Sequence, residues 1–414
     1  MPQTTTAPRK KTRLMTEGGI FKNLLLFAVP LILGNLLQQL YNTADSIIVG
    51  NFLGSNALAA VGSSGSPIFL LIGFSQGVAV GAGVVVAQYL GAKDREDAQI
   101  AVHTSLAIAA ILGVVLTVGG ILVCRSLLVW MNTPAEVLED AVTYMRIYFG
   151  GVLFSIIYNM AAGILNAAGN SQRSLIYLGC ASITNIILDL VLIAGLRMGV
   201  EGAAIATDIS QLVSCILSLR FLMRVEDDYR VTPRKIRPDA KMSARIIRVG
   251  LPTGIQNMVI SFSNVLVQSS VNGYGAVAMA GFAAYMKIDG FNILPVMSFS
   301  MAATTFVGQN FGAGKLDRVK RSLWVTLAMS VGYTLFTGAL LLVFRYPGRY
   351  RGGVWRGGHE VFLPVLFPAG HPAQPGRCRA RHGQERAAHG GAAALPLPVP
   401  GGLDPVYSAI LPQH

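Results

Sequence analysis

Four residues with oxygen-bearing side chains stand inside apolar runs of this chain, where ionisable groups are costly. Asp45 lies in QQLYNTADSIIVG, Asp189 in ASITNIILDLVLIAG and Thr207 in GAAIATDIS. A charged side chain at the centre of a bilayer costs on the order of 3 kcal/mol, so each aspartate needs a partner or a task. Asn185 precedes Asp189 by four residues and so shares its side of a helix. Two carboxylates, an amide oxygen and a hydroxyl form an all-oxygen set suited to a hard cation. If the aspartates lie close, the two cannot both stay charged cheaply, and a proton can take the place of a metal ion. Spacing alone leaves open the alternative of separate aspartates, each bonded to a local backbone group or water.

Other polar residues carry weaker signals. Asp208 neighbours Thr207 but points about 100° away on a helix. Lys287 and Asp289 in AAYMKIDGF could contact substrate or relay a proton, or be polar residues near a helix end. His103, alone early in an apolar run, reads as a structural histidine. Gly73, Gly77 and Gly81 form a GxxxGxxxG face that lets helices pack closely in lipid. Pro30 removes a backbone hydrogen bond and offers a bending point in the run that carries Asp45. Cys124, Cys180, Cys215 and Cys378 lie far apart, without metal-site or disulfide spacing. No phosphate-binding, GxSxG or HExxH motif occurs, so neither ATP-driven work nor hydrolysis by this chain is expected, and no cofactor beyond a coupling ion.

The elements that must hold these residues are transmembrane helices. The chain is 52% hydrophobic and 13% charged, against about 25% charged residues in soluble domains. Mean hydropathy is +0.53. Crossing a bilayer takes roughly 20 apolar residues, and such runs predict about nine helices, near 21–48, 57–89, 100–123, 143–168, 174–195, 201–223, 246–271, 277–309 and 321–344. Basic loops (Arg9 to Arg13, GAKDRED, the linker from Arg220 to Arg248, Lys315 to Arg321) alternate with NFLGSN, the acidic TPAEVLED and VNGYGA. The positive-inside rule then puts the N-terminus in the cytoplasm. It also explains the net charge of +13 without a nucleic-acid partner.

The chain repeats itself. FAVPLILGN, LGSNALAA and VAQYLGAKDRED are echoed in order by RVGLPTGIQN, YGAVAMAG and VGQNFGAGKLDR. Pro30 and Pro252 are 222 residues apart, and Gln88 and Gln309 are 221 apart. Two parallel repeats follow, the usual construction of secondary transporters. The reading is an all-α polytopic membrane protein with two homologous helical-bundle lobes. Its parts are a cytoplasmic segment (1–20), a six-helix lobe (21–223), a basic linker (224–245) and three helices of a second lobe (246–344). From 345 to 414 the chain turns rich in Pro, Arg and His and lacks any spanning run, as expected of out-of-frame translation, or else of an interaction tail.

With these residues in view, the sequence resembles the multidrug and toxic compound extrusion (MATE) family. The resemblance rests on the run from Pro30 to Ala60, on the Q-x-x-GA turns at Gln88 and Gln309, and extends over about residues 15–344. It implies twelve helices in two six-helix lobes around a cavity that opens to alternate sides. It further implies exchange of Na⁺ or H⁺ for amphipathic, often cationic compounds across a bacterial cytoplasmic membrane, by a monomer. The DinF-like branch implies a cation site at Asp45, Asn185, Asp189 and Thr207, with Pro30 as the bending proline. The NorM-like branch implies an acid in the seventh helix, and GLPTGIQNMVISFSNV has none. Rival expectations are a flippase for lipid-linked precursors, which needs a cationic cavity, and an inert truncated product. An intramembrane aspartyl protease is disfavoured because Asp189 sits in IILD rather than GxGD.

Overall fold

The computed structural model describes residues 14–343 apart from 132 and 273–275, with the backbone alone at some helical positions. The N-terminal residues before 14, the tail from 345 and the side chain of Lys287 lie outside the described residues. Among the described residues the fold is helical throughout: α1 (Ile20–Leu53), α2 (Ser55–Ala92), α3 (Arg95–Trp130), α4 (Ala135–Ala167), α5 (Ser171–Asp189), α6 (Val200–Arg224), α7 (Ala240–Asn272), α8 (Ala276–Gly312) and α9 (Leu316–Val343). A π-helical segment, Leu190–Gly195, prolongs α5.

Eight of these elements are long and apolar enough to cross a membrane. The ninth expected span, α7, falls short. It opens on Lys241, Arg245 and Arg248 and carries Gln256 and Asn257 in its middle, so its apolar surface is a stripe rather than a full circumference. Its glycine face, Gly250 and Gly254, packs along α2, while Ile247, Leu251, Ile255, Val259 and Val267 point outward.

The α2–α7 seam exists because both helices present glycine. A Cβ at Gly77 would overlap the backbone of Gly254, and one at Gly81 the backbone of Gly250. Further along, Asn257 Nδ2 donates to Gly73 O at 3.3 Å. The pairing has a counterpart in the packing of α1 on α8, where Asn35 Nδ2 donates to Ser298 Oγ at 3.0 Å. Since α7 repeats α1 and α8 repeats α2, these are the two copies of one contact. The α2–α3 turn reuses simple stereochemistry: Lys93 ends α2 in the left-handed region at φ 58°, and Asp94 caps α3 by accepting from Asp97 N at 3.1 Å.

His103 serves the linker between the repeats. Its Nε2 accepts from Thr232 N at 2.9 Å, so the proton sits on Nδ1, 2.7 Å from Gln99 O. Asp239 N donates to Thr104 Oγ1 at 3.3 Å, and Tyr229 and Val231 are buried. The basic linker is therefore docked on α3 rather than loose.

The seam makes a direct expectation. Gly81→Leu should overpack it and cost about 1–3 kcal/mol or more, read as a lower melting temperature in detergent. Gly119→Ala on α3, where a Cβ meets open space, should leave that temperature unchanged or slightly raised.

Candidate cation-binding site

Helices α1 and α5 run side by side, and this packing brings two acidic side chains together. Asp45, eight residues before the end of α1, is half-buried; Asp189, the last residue of α5, is fully buried. The two carboxyl groups lie within reach of a shared hydrogen bond. That bond needs a proton, because two carboxylates offer only acceptors. Without it, Asp45 Oδ1 and both oxygens of Asp189 find no partner. Asn185, one turn earlier on the same face of α5, is 1% exposed, and its amide oxygen and nitrogen are also without partners.

Acceptor oxygens from two carboxylates and an amide, screened from solvent and lacking donors, have the chemistry of a site for a proton or a small hard cation. Among the described residues no three His, Cys, Asp or Glu gather as a transition-metal site would require. Thr207 stands apart in its bonding: its hydroxyl donates to Ala203 O at 3.0 Å inside α6. No hydrogen bond joins it to the aspartates among the described residues, although its oxygen keeps a lone pair.

The surroundings hold groups that the spacing of the sequence did not single out. Tyr41, one turn before Asp45 on α1, and Tyr144 on α4 both interact electrostatically with Asp45. Tyr144 is 7% exposed and stacks on Tyr148, with ring centroids 6.2 Å apart. The signal available was the four-residue spacing of Tyr144 and Tyr148, which gives α4 an aromatic hydroxyl stripe. Asp208 faces that stripe from α6 and fits because Gly151 has no side chain, since a Cβ there would collide with its carboxyl. The π-helical segment begins immediately after Asp189, and its widened turn places Leu196 N on Val191 O at 2.8 Å. Such segments recur at functional positions, and nothing in LVLIAG announces one.

Pro30 lies fifteen residues before Asp45, and α1 continues as helix through it. The proline leaves the carbonyl one turn earlier without its usual donor. Ser171 Oγ, at the start of α5, donates to neighbouring Phe27 O at 3.0 Å and fastens α1 to α5 at that level. Asp289 is half-buried on α8, in the other repeat from the aspartate pair.

The MatE family profile matches residues 30–191 and 252–348, the two repeats. The chain belongs to the MATE family. A relative in Bacillus subtilis, the probable multidrug resistance protein YpnP, is 31% identical over 306 residues, covering 73% of this chain and 68% of its own. Another from the same species, the probable multidrug resistance protein YoeA, is 29% identical over 81% of this chain and 73% of its own. Among solved structures, an outward-facing multidrug resistance MATE transporter of the MOP superfamily superposes with a TM-score of 0.76 at 27% identity, covering 82% of this chain and 75% of that one. MATE chains are multi-pass membrane transporters of small molecules rather than enzymes, and this one has the corresponding helices.

Two adjoining carboxyls should destabilise the fold whenever both are ionised. Asp45→Asn should therefore raise the melting temperature in alkaline, Na⁺-free buffer. It should also abolish any stabilisation by added cation, which for a filled site reaches about 2.7 kcal/mol at a hundredfold excess over Kd. Thermal unfolding of both proteins with and without NaCl makes the comparison.

Proposed function

We propose that this chain is a secondary antiporter of the bacterial cytoplasmic membrane, of the DinF-like MATE branch, with its N-terminus in the cytoplasm. It exports drugs or organic, often cationic metabolites in exchange for Na⁺ or H⁺. The observation that carries this reading is the interacting pair Asp45 and Asp189, with partnerless carboxylate and Asn185 atoms. The names of the Bacillus subtilis relatives support multidrug cargo, and the basic loops support the orientation.

A cation entering between α1 and α5 neutralises one of two opposed charges and so removes their repulsion. Occupancy thereby changes the relative stability of two arrangements of α1 against α5 and α8, which is what coupling requires. One charge descending 100 mV supplies about 2.3 kcal/mol. Thr207 completes the oxygen set when its hydroxyl turns from Ala203. A proton and Na⁺ compete for the same oxygens, so Na⁺ affinity should fall as pH falls.

Proteoliposomes loaded with a fluorescent organic cation provide the test. An inward Na⁺ or H⁺ gradient should accelerate efflux from wild-type vesicles, while Asp45→Asn and Asp189→Asn should reduce gradient-driven efflux at least tenfold. Undiminished, gradient-dependent efflux by Asp45→Asn contradicts the mechanism.

A further inference from the structure

The end of the bundle that carries the basic loops is closed by contacts unrelated to the aspartate pair. The two repeated Q-x-x-G turns cross there reciprocally: a Cβ at Gly91 would run into Gln309 O, and one at Gly312 into Gln88 O. The two glutamines are equivalent in the repeat but are held differently. Gln88 Oε1 accepts from Arg245 Nη2 at 2.9 Å in an exposed bond. Gln309 is wholly buried and uses both ends of its amide, accepting from Met15 N at 2.7 Å and donating from Nε2 to Ala167 O at 2.8 Å. One side chain of α8 therefore grips the end of α4 and the segment preceding α1, both in the first repeat.

That segment, residues 14–18, is held along its length by the turn between α8 and α9. Arg318 spreads its guanidinium over three acceptors: Asn310 Oδ1 at 2.9 Å, Gly18 O at 2.9 Å and Met15 O at 3.2 Å. Asn310 Nδ2 reaches Met15 O at 3.3 Å, and Lys315 Nζ reaches Thr16 O at 3.0 Å. The Met15 side chain is buried in the apolar cluster of Leu24, Phe27, Phe299 and Phe306. A short irregular segment with this many partners is fixed, and it crosses from one repeat to the other.

We propose that residues 14–18 are a latch on the basic-loop end of the transporter, with Gln309 as its bolt, and that this end opens only when the Met15–Gln309 bond and the Arg318 fork let go. Separating α2 from α8 at the crossed turns pulls Gln309 from Ala167 and leaves buried amide groups unpaired, which is the costly outcome for such groups. The latch rests on the export reading only in that two-sided exchange requires this end to open. Its test reads conformation rather than transport.

Thr305, buried one turn before Gln309 on the same face of α8, serves as a probe once changed to Thr305→Cys. With Cys180, Cys215 and Cys378 replaced and buried Cys124 of α3 retained as internal control, maleimide labelling of both sites is followed by mass spectrometry in nanodiscs. Labelling at 305 should accelerate about tenfold or more in Gln309→Ala, which loses both amide bonds, and in Met15→Pro, which loses the donated N–H together with the buried side chain. The double variant should rise by less than the product of the two single effects, because the Met15–Gln309 bond is common to both. Arg318→Ala should act in the same direction and Arg318→Lys less, while deletion of residues 1–13 should change nothing. Rates within twofold of the parent in both Gln309→Ala and Met15→Pro would overturn the proposal. So would an equal rise at Cys124, because general loosening would then account for the change.

Discussion

Two interacting carboxyl groups inside an apolar bundle are the constraint on which the rest of the structure depends. In water such a pair costs little, but between helices each ionised oxygen needs a donor, and Asp45, Asp189 and Asn185 supply none to one another beyond the Asn185 amide. A proton or a cation is the simplest group that satisfies them. The scaffold around the pair keeps it from relaxing apart. Ser171 ties α5 to α1 at Phe27, and Tyr41 and Tyr144 flank Asp45. The π-helical turn after Asp189 alters the spacing of the backbone where α5 ends.

The same helix joins this pair to the interface between the repeats. α1 carries Asp45 near one end, meets α8 at Asn35–Ser298, and begins beside the segment that Gln309 and Arg318 hold. The glycine seam of α2 and α7 brings two backbones so close that no side chain intervenes. Interfaces built this way shift between discrete packings rather than deforming gradually. Charge at one end of α1 and hydrogen bonds at the other thus bear on one rigid element.

Much of the fold could be read from the sequence because membrane helices declare themselves by length and hydropathy, and the duplicated landmarks at Pro30 and Pro252 and at Gln88 and Gln309 gave the repeat. The union of Asp45 and Asp189 was legible in outline, since intramembrane acids are costly enough to stand out. Thr207 was placed in the oxygen set by position, but that its hydroxyl also donates to Ala203 O on its own helix no spacing could show. Tyr144, the Gly151 notch for Asp208 and the π-helical turn depend on which helix faces which, and no local pattern carries that. The bond of Met15 to Gln309 spans 294 residues and is equally invisible to spacing.

The central claim is that the Asp45–Asp189 pair holds one exchangeable proton or cation. Infrared difference spectroscopy of the protein in lipid, as pH is stepped downward without Na⁺, reads this most directly. A protonated-carboxyl C=O component should appear on acidification in wild type and be missing from the Asp45→Asn/Asp189→Asn double variant. An identical carboxyl signal in both proteins would contradict it.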